Sequence, residues 1–223
     1  MIDIPVYNLK GEQTGSVSVD EAKLGGEVRP QLLKQAFVRT HANKRPTNSP
    51  TKSRSDVRGS GKKLYKQKGT GNARRGDKKA NILRGGGRAF AKTRHSWNQD
   101  MPKKMRRLAN RNALLAKLVD GEIKLLEEGV GGDKPSTKAF AAVLDALKID
   151  RSVLVALADV RGADAKSARN IDSVSVTQID RLCVFDVLNH RYLLAGKADF
   201  EAYLEKFVNN APAHEIPSAK EAA

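Results

Sequence analysis

The sequence predicts an open α/β domain, its sheet mostly parallel and flanked by helices, with a long extended basic loop inserted into it. Three observations carry this. From Glu122 onward, short strand-like runs alternate with stretches of helical apolar spacing, the pattern of units that cover both faces of a sheet. Residues 153–158 (VLVALA) are apolar without alternation, as expected of a strand buried on both sides in a parallel sheet. Charge is also segregated: between Asn43 and Arg107 stand 21 Lys and Arg against Asp56, Asp77 and Asp100, while the rest of the chain holds 20 basic and 22 acidic residues.

Taken in order, residues 2–6 and 16–19 read as short strands joined by a turn over 11–15, a hairpin. Pro30 is suited to a helix start, and Leu32, Leu33, Ala36 and Phe37 give that helix an apolar stripe. After the charged segment, Pro102 opens a second helix reaching about Val119. Met101, Met105, Leu108 and Leu115 lie on one side of it, and Lys103, Arg107 and Arg111 follow i, i+4, i+8 spacing on another. Like charges stacked in this way are unfavourable on their own, so an anion is expected to neutralise them. Residues 123–126 form a strand and 129–135 a loop. Ser136 or Thr137 caps a helix carrying Phe140, Val143, Leu144 and Leu147. Strands follow at 153–158, 174–177 and 182–187, with a short helix at 164–170. A last helix carries Phe200, Tyr203, Leu204 and Phe207. The domain is thus expected over 1–42 and 101–208, with a disordered tail at 209–223.

The loop, residues 43–100, lacks the means to build a core. From Asn43 to Arg94 its larger apolar residues are Val57, Leu64, Tyr65, Ile82, Leu83 and Phe90, without periodicity. Ordering each residue costs about 1–2 kcal/mol, and this composition buries too little apolar surface to offset that. The segment is expected to be extended and flexible alone, and ordered on its partner.

The 223 residues carry a net charge of +16 with a sequence pI near 10.0, which favours a polyanionic partner. Cys183 stands alone in an apolar run and is read as a core residue of a reducing compartment. The N-terminus lacks a signal-peptide pattern, and no run approaches the ~18 apolar residues of a membrane span. A cytoplasmic protein without a membrane partner is expected.

Enzyme readings fail on their own patterns. Around Gly61-Lys62 a phosphate-binding P-loop would need Gly and Ser or Thr where Asp56 and Lys63 stand. Gly69-Thr-Gly71 meets Arg74 where a dinucleotide fingerprint needs its third glycine, and neither run follows a strand or opens a helix. His41, His95, His190 and His214 have no partners at metal-ligand spacing. No cofactor, metal or catalytic residue is expected. In the loop, cations neutralise phosphates, glycines permit close backbone approach, and Tyr65, Phe90 and Trp97 are candidates for stacking on unpaired bases. Helix-turn-helix, zinc-finger and basic-zipper patterns are missing, which favours a folded RNA over DNA. A generic RNA- or DNA-binding module with a basic arm is the alternative.

Five segments occur in order: Lys52-Ser-Arg-Ser-Asp-Val-Arg58, Gly59-Ser-Gly-Lys-Lys-Leu-Tyr65, Gln67-Lys-Gly-Thr-Gly71, Arg84-Gly-Gly-Gly87 and Pro102-Lys-Lys-Met-Arg-Arg-Leu-Ala109. Together they resemble the bacterial large-subunit ribosomal protein "L-four" family, densely over 52–117 and more loosely to about 208. The resemblance implies a structural protein of the large subunit, seated on rRNA beside neighbouring ribosomal proteins and active early in assembly. It also implies a loop tip at Gln67, Lys68, Gly69, Thr70 and Gly71 that reaches the exit tunnel, the nascent peptide and the macrolide site. Its rRNA contacts would be Lys52, Arg54, Arg58, Lys62, Lys63, Tyr65, Lys66, Lys68, Arg74, Arg75, Arg84 and Arg88. On the following helix they would be Lys103, Lys104, Arg106, Arg107 and Arg111. The chain departs from the family pattern at Leu64 and Tyr65 (commonly Pro-Trp), Asn72 (a usual Arg), Asp77 (an added acid) and Leu83 (a usual Trp).

Overall fold

The structure, a computed structural model, describes residues 1–46, 49–130 and 134–209. Residues 210–223 of the tail expected to be disordered, the Phe207 side chain and part of the 129–135 loop lie outside the described residues. The chain divides into two compact units, one holding Met1–His41 and the described residues from Asp100 onward, the other Ala42–Gln99.

In the first unit the expected hairpin forms from β1 (Ile2–Tyr7) and β2 (Gln13–Val19), paired antiparallel. The Asn8 side-chain oxygen accepts the amides of Lys10 and Glu12 at 3.0 and 2.9 Å and so shapes the turn. Gly11 has a φ of +82°, and a Cβ there would stand 2.5 Å from the Ala146 carbonyl oxygen, so only glycine fits. The chain continues through α1 (Pro30–Lys44), α2 (Lys103–Val119), β3 (Ile123–Leu126), α3 (Thr137–Ala146), β4 (Val153–Leu157) and α4 (Ala163–Arg169). It ends with β5 (Val174–Gln178), α5 (Val184–Asn189), β6 (Tyr192–Gly196) and α6 (Lys197–Asn209). The six strands lie in the order β2-β1-β3-β6-β4-β5. Every pairing other than the hairpin is parallel, as the unalternated apolar run predicts.

Strand pleating sorts the core into two layers. Leu154, Ala156, Leu193, Ala195, Ile123 and Leu125 face one way and pack with Leu33, Leu114, Leu115, Leu118, Val184, Val187, Phe200 and Tyr203. Val153, Val155, Leu194 and Leu126 face the other way and pack with Phe140, Val143, Leu144, Leu147 and Ala168. Thus α1, α2, α5 and α6 cover one face, while α3 and α4 cover the other. Ser136 caps α3 by accepting the Ala139 amide at 3.3 Å, and all four members of the expected α3 stripe are buried.

Three expectations are corrected. Residues 182–187 are not a strand: the segment follows a short 3-10 turn (Ile179–Arg181) and runs into α5. Its amides are taken from outside, since the Asn110 side-chain oxygen of α2 accepts the Val184 amide at 3.2 Å. The sixth strand is instead β6, YLLAG, whose Leu193 amide bonds the Glu122 carbonyl at 3.0 Å. Cys183 is half-buried just before α5, its thiol donating to the Asp186 carboxylate at 2.9 Å. Burial, then that bond, pushes the thiol pKa up, which favours the protonated thiol over the thiolate.

The α2 stripe also differs. Met105 is exposed, whereas from Ala109 onward most of the helix is buried, including Arg111, Asn112 and Lys117. This C-terminal half lies against β1, α5 and the 3-10 turn Ala22–Leu24, so it is enclosed on several sides and polar residues are drawn in with it. The Lys117 ammonium donates to the Glu122 carboxylate and, at 2.9 Å, to the Arg191 carbonyl, while Arg191 Nε stands 3.3 Å from the other Glu122 oxygen. A buried cation with these partners is tolerated where a bare one is not. Among the described residues no helix is long and apolar enough to cross a membrane.

Candidate nucleic-acid interface

Residues 42–99 hold 17 Lys and Arg against Asp56 and Asp77. Beyond the end of α1 the described residues of this unit form no regular element, yet the unit is not featureless. Its two legs meet in a ladder of separate rungs. At the base, the Asn43 side-chain Nδ2 donates to the Gln99 carbonyl at 3.2 Å, and the Gln99 backbone amide donates back to Asn43 Oδ1 at 2.8 Å. Next, the Arg45 guanidinium lies 3.7 Å over the Trp97 ring, and His95 meets that ring edge-on. The Thr51 amide bonds the Lys92 carbonyl at 3.0 Å, the Lys92 amide bonds the Thr51 hydroxyl at 2.7 Å, and the Arg88 amide bonds the Lys52 carbonyl at 2.9 Å. Further out, Lys63 and Asp77 form an isolated bridge, the Leu64 amide bonds the Gly76 carbonyl at 3.0 Å, and the Tyr65 hydroxyl donates to the Ala73 carbonyl.

The rungs therefore step inward in sequence and end at residues 66–72. This terminal turn is exposed throughout, and Gly69 and Gly71 adopt positive φ with open space where a Cβ would be. Gln67, Lys68, Gly69, Thr70 and Gly71 occupy it. A second excursion over residues 78–87 folds back through consecutive turns (Leu83 to Ala80, Gly86 to Leu83, Gly87 to Lys79). Gly87 is buried, and a Cβ on it would stand 2.3 Å from the Arg54 amide nitrogen, so backbone packs on backbone where larger residues could not. The sequence predicts an extended segment, flexible alone, because it cannot build an apolar core; among its described residues, hydrogen bonds and glycine contacts stand in place of one.

Both acids are consumed internally. Asp77 is 6% exposed, and its Oδ2 receives Nε and an η-nitrogen of Arg54, each at 3.2 Å. The Asp56 carboxylate accepts the hydroxyl and then the amide of Ser53, which hold it below the usual carboxylate range. Neither acid is left to offset the surface cations. Lys52, Arg54, Arg58, Lys62, Lys63, Lys66, Lys68, Arg74, Arg75, Arg84 and Arg88 are all exposed, and Tyr65 is half-buried. Such a surface focuses a positive potential suited to a polyanion.

Exposure also separates the three aromatic candidates. Tyr65 and Trp97 are engaged within the unit, by a carbonyl and by a guanidinium respectively. Phe90 is 98% exposed and Ile82 is 82% exposed, so Phe90 is the ring available to stack on an unpaired base. In the other unit, Lys103, Lys104, Arg106 and Arg107 are exposed on α2. Arg111 is not: at 4% exposed it is buried, and the expected i, i+4, i+8 basic face ends at its second member. The pairing of Arg45 with Trp97 was missed, although a cation directly after a helix end and a lone tryptophan near the opposite leg are visible in the sequence.

Among the described residues no group of His, Cys, Asp and Glu is placed to hold a metal ion. A family model described as the ribosomal protein L4/L1 family matches residues 17–206. Proteins named large ribosomal subunit protein uL4 from three strains of Dehalococcoides mccartyi are each 39% identical over 193 residues, which cover 86% of this chain and 91% of theirs.

Proposed function

Since this chain belongs to the ribosomal protein L4/L1 family, we propose that it is a structural, non-enzymatic component of the large ribosomal subunit that binds large-subunit rRNA through residues 42–99 and α2. The tip at residues 67–71 reaches the nascent-peptide exit tunnel, where it meets the growing chain. The protein acts in the cytoplasm, within the ribosome, beside neighbouring large-subunit proteins, and supports subunit assembly. The observation that carries this reading is the ladder: it runs out to a glycine-hinged, fully exposed turn on a unit whose only two acids are already taken. Lysines and arginines along both legs suit phosphate neutralisation, and the bare tip suits a narrow passage that a core would block.

The test uses ribosomes carrying the variant Lys68→Glu. The protein is expected to co-sediment with large subunits through a high-salt wash, with altered macrolide sensitivity and unchanged melting of the free chain. Normal macrolide response with a changed melting curve would make the tip a folding element instead. Recovery of the protein on free DNA or messenger RNA, and not on large subunits, would overturn the whole reading.

A further inference from the structure

On the sheet-bearing unit, α1, α2 and the start of α5 surround an open cavity of about 420 Å³. Among the described residues four cations line it (Arg39, Lys103, Arg106 and Arg107) and no carboxylate does. Like charges gathered round one space repel unless an anion lies among them. The Arg39 Nε atom is buried without a hydrogen-bond partner among the described residues, while the residue lines the cavity. A buried, unmatched guanidinium donor is costly, and its fork geometry fits phosphate oxygens. Lys103 stands in the first turn of α2, which has neither an acidic residue nor a side-chain cap, so the positive end of the helix is uncompensated as well. Thr40 also lines the cavity, but its hydroxyl is spent on the Ala36 carbonyl at 2.9 Å, so the cations are the donors left for a ligand.

We propose that this cavity is a socket for a backbone phosphodiester of structured RNA, with Arg39 as its central donor and Arg106 and Arg107 as flanking charges. It rests on the RNA-binding reading above and adds a contact on α1 that the basic motifs do not include. The three-point cationic face expected on α2 is in effect rebuilt: buried Arg111 drops out, and Arg39 from the neighbouring helix takes the third place.

The experiment measures binding of the full chain to a large-subunit rRNA transcript across a salt series, for the unmodified protein and for Arg39→Gln, Arg39→Lys and Arg106→Gln. Arg39→Gln is expected to weaken binding about 3- to 10-fold at physiological salt and to lower the log–log salt slope by about 0.7–0.9. Arg39→Lys should keep the slope while binding less tightly, because a point charge lacks the fork. If Arg39→Gln melts early, Arg106→Gln, at an exposed position, decides by the same slope criterion. Unchanged slopes in both glutamine variants, with a lowered slope in a Lys66→Gln loop variant, would overturn the socket and leave the RNA reading intact. Absence of salt-dependent binding by the unmodified chain would remove the RNA reading and the socket with it. Inorganic phosphate is the separate arm. If it raises the melting temperature of the unmodified chain but not of Arg39→Gln, while the RNA slopes are equal, the cavity holds small anions and the phosphodiester assignment is wrong.

Discussion

Replacing Asp77 with asparagine would test whether the basic unit is pre-formed. Asp77 is nearly isosteric with asparagine, so the change removes charge and little else. Its Oδ2 holds two guanidinium nitrogens of Arg54, each at 3.2 Å, at a position 6% exposed. Hydrogen bonds to a charged group contribute about 1.5–3 kcal/mol each when buried. Here the Arg54 side chain is 64% exposed and regains water on release, which lowers the figure toward that of a screened pair. We take the net loss as about 1–2 kcal/mol, a factor of about 5–30 in the local opening equilibrium. The assay is native-state hydrogen exchange of the Leu64, Gly87 and Arg88 amides, which donate to Gly76, Lys79 and Lys52 on either side of the clasp. Those amides should lose about 5–30-fold in protection, while the Leu193 amide of β6 should not change. Equal protection in both proteins would mean that the ion pair does not hold the turn. Exchange at free-peptide rates in the unsubstituted chain would mean that the rungs form only on RNA, and the reasoning from the ladder would fail.

Two further outcomes concern the sheet-bearing unit. Phe140, 1% exposed between α3 and the sheet, should cost about 3–5 kcal/mol when cut to alanine, read as a lower denaturant midpoint at unchanged slope. Burial, then the charge of Asp180, pushes the Tyr203 phenol above its ordinary value. A phenol raised in the folded state contributes stability that is complete below its unfolded value near 10 and lost as pH rises beyond it. Tyr203→Phe should therefore flatten the loss of unfolding free energy between pH 9 and pH 11, and equal losses in both proteins would contradict this.

Much of the fold is legible in the sequence because local signals and burial agree. Ser136 before Phe140, Val143, Leu144 and Leu147 gives both the cap and the buried stripe of α3, and the unalternated run 153–157 gives a central parallel strand. The reading fails where a short apolar run meets a tertiary partner. Residues 182–187 are too few for periodicity to decide, and the deciding contact is Asn110 on a helix more than seventy residues away. Strand β6 carries three buried apolar residues between His190-Arg191 and Lys197, too weak a signal without its neighbours β3 and β4. At the interface, the excess of cations is plain from composition, but which of them remain exposed is not. Arg111 sits on the same face as Arg107 by spacing and is buried because α2 is enclosed beyond Ala109. The partition of Tyr65, Trp97 and Phe90 into tethers and a free ring likewise depends on which carbonyl or guanidinium lies opposite.

The rung at the base of the basic unit bears on how long that unit can be. Asn43 and Gln99 are 56 positions apart and joined by two hydrogen bonds, so everything between them is an excursion that returns to its origin. The entropy of closing such an excursion grows only with the logarithm of its length, about 0.6 kcal/mol for each doubling. Adding or removing a few residues on each leg costs a small fraction of that, while each pair of residues moves the tip by about 3.3 Å. Length is nearly free in thermodynamic terms and coarse in geometric ones. On the proposed function, the distance from neck to tip thus serves as a ruler, set by the depth of the passage that the tip would reach and not by the stability of the protein that carries it.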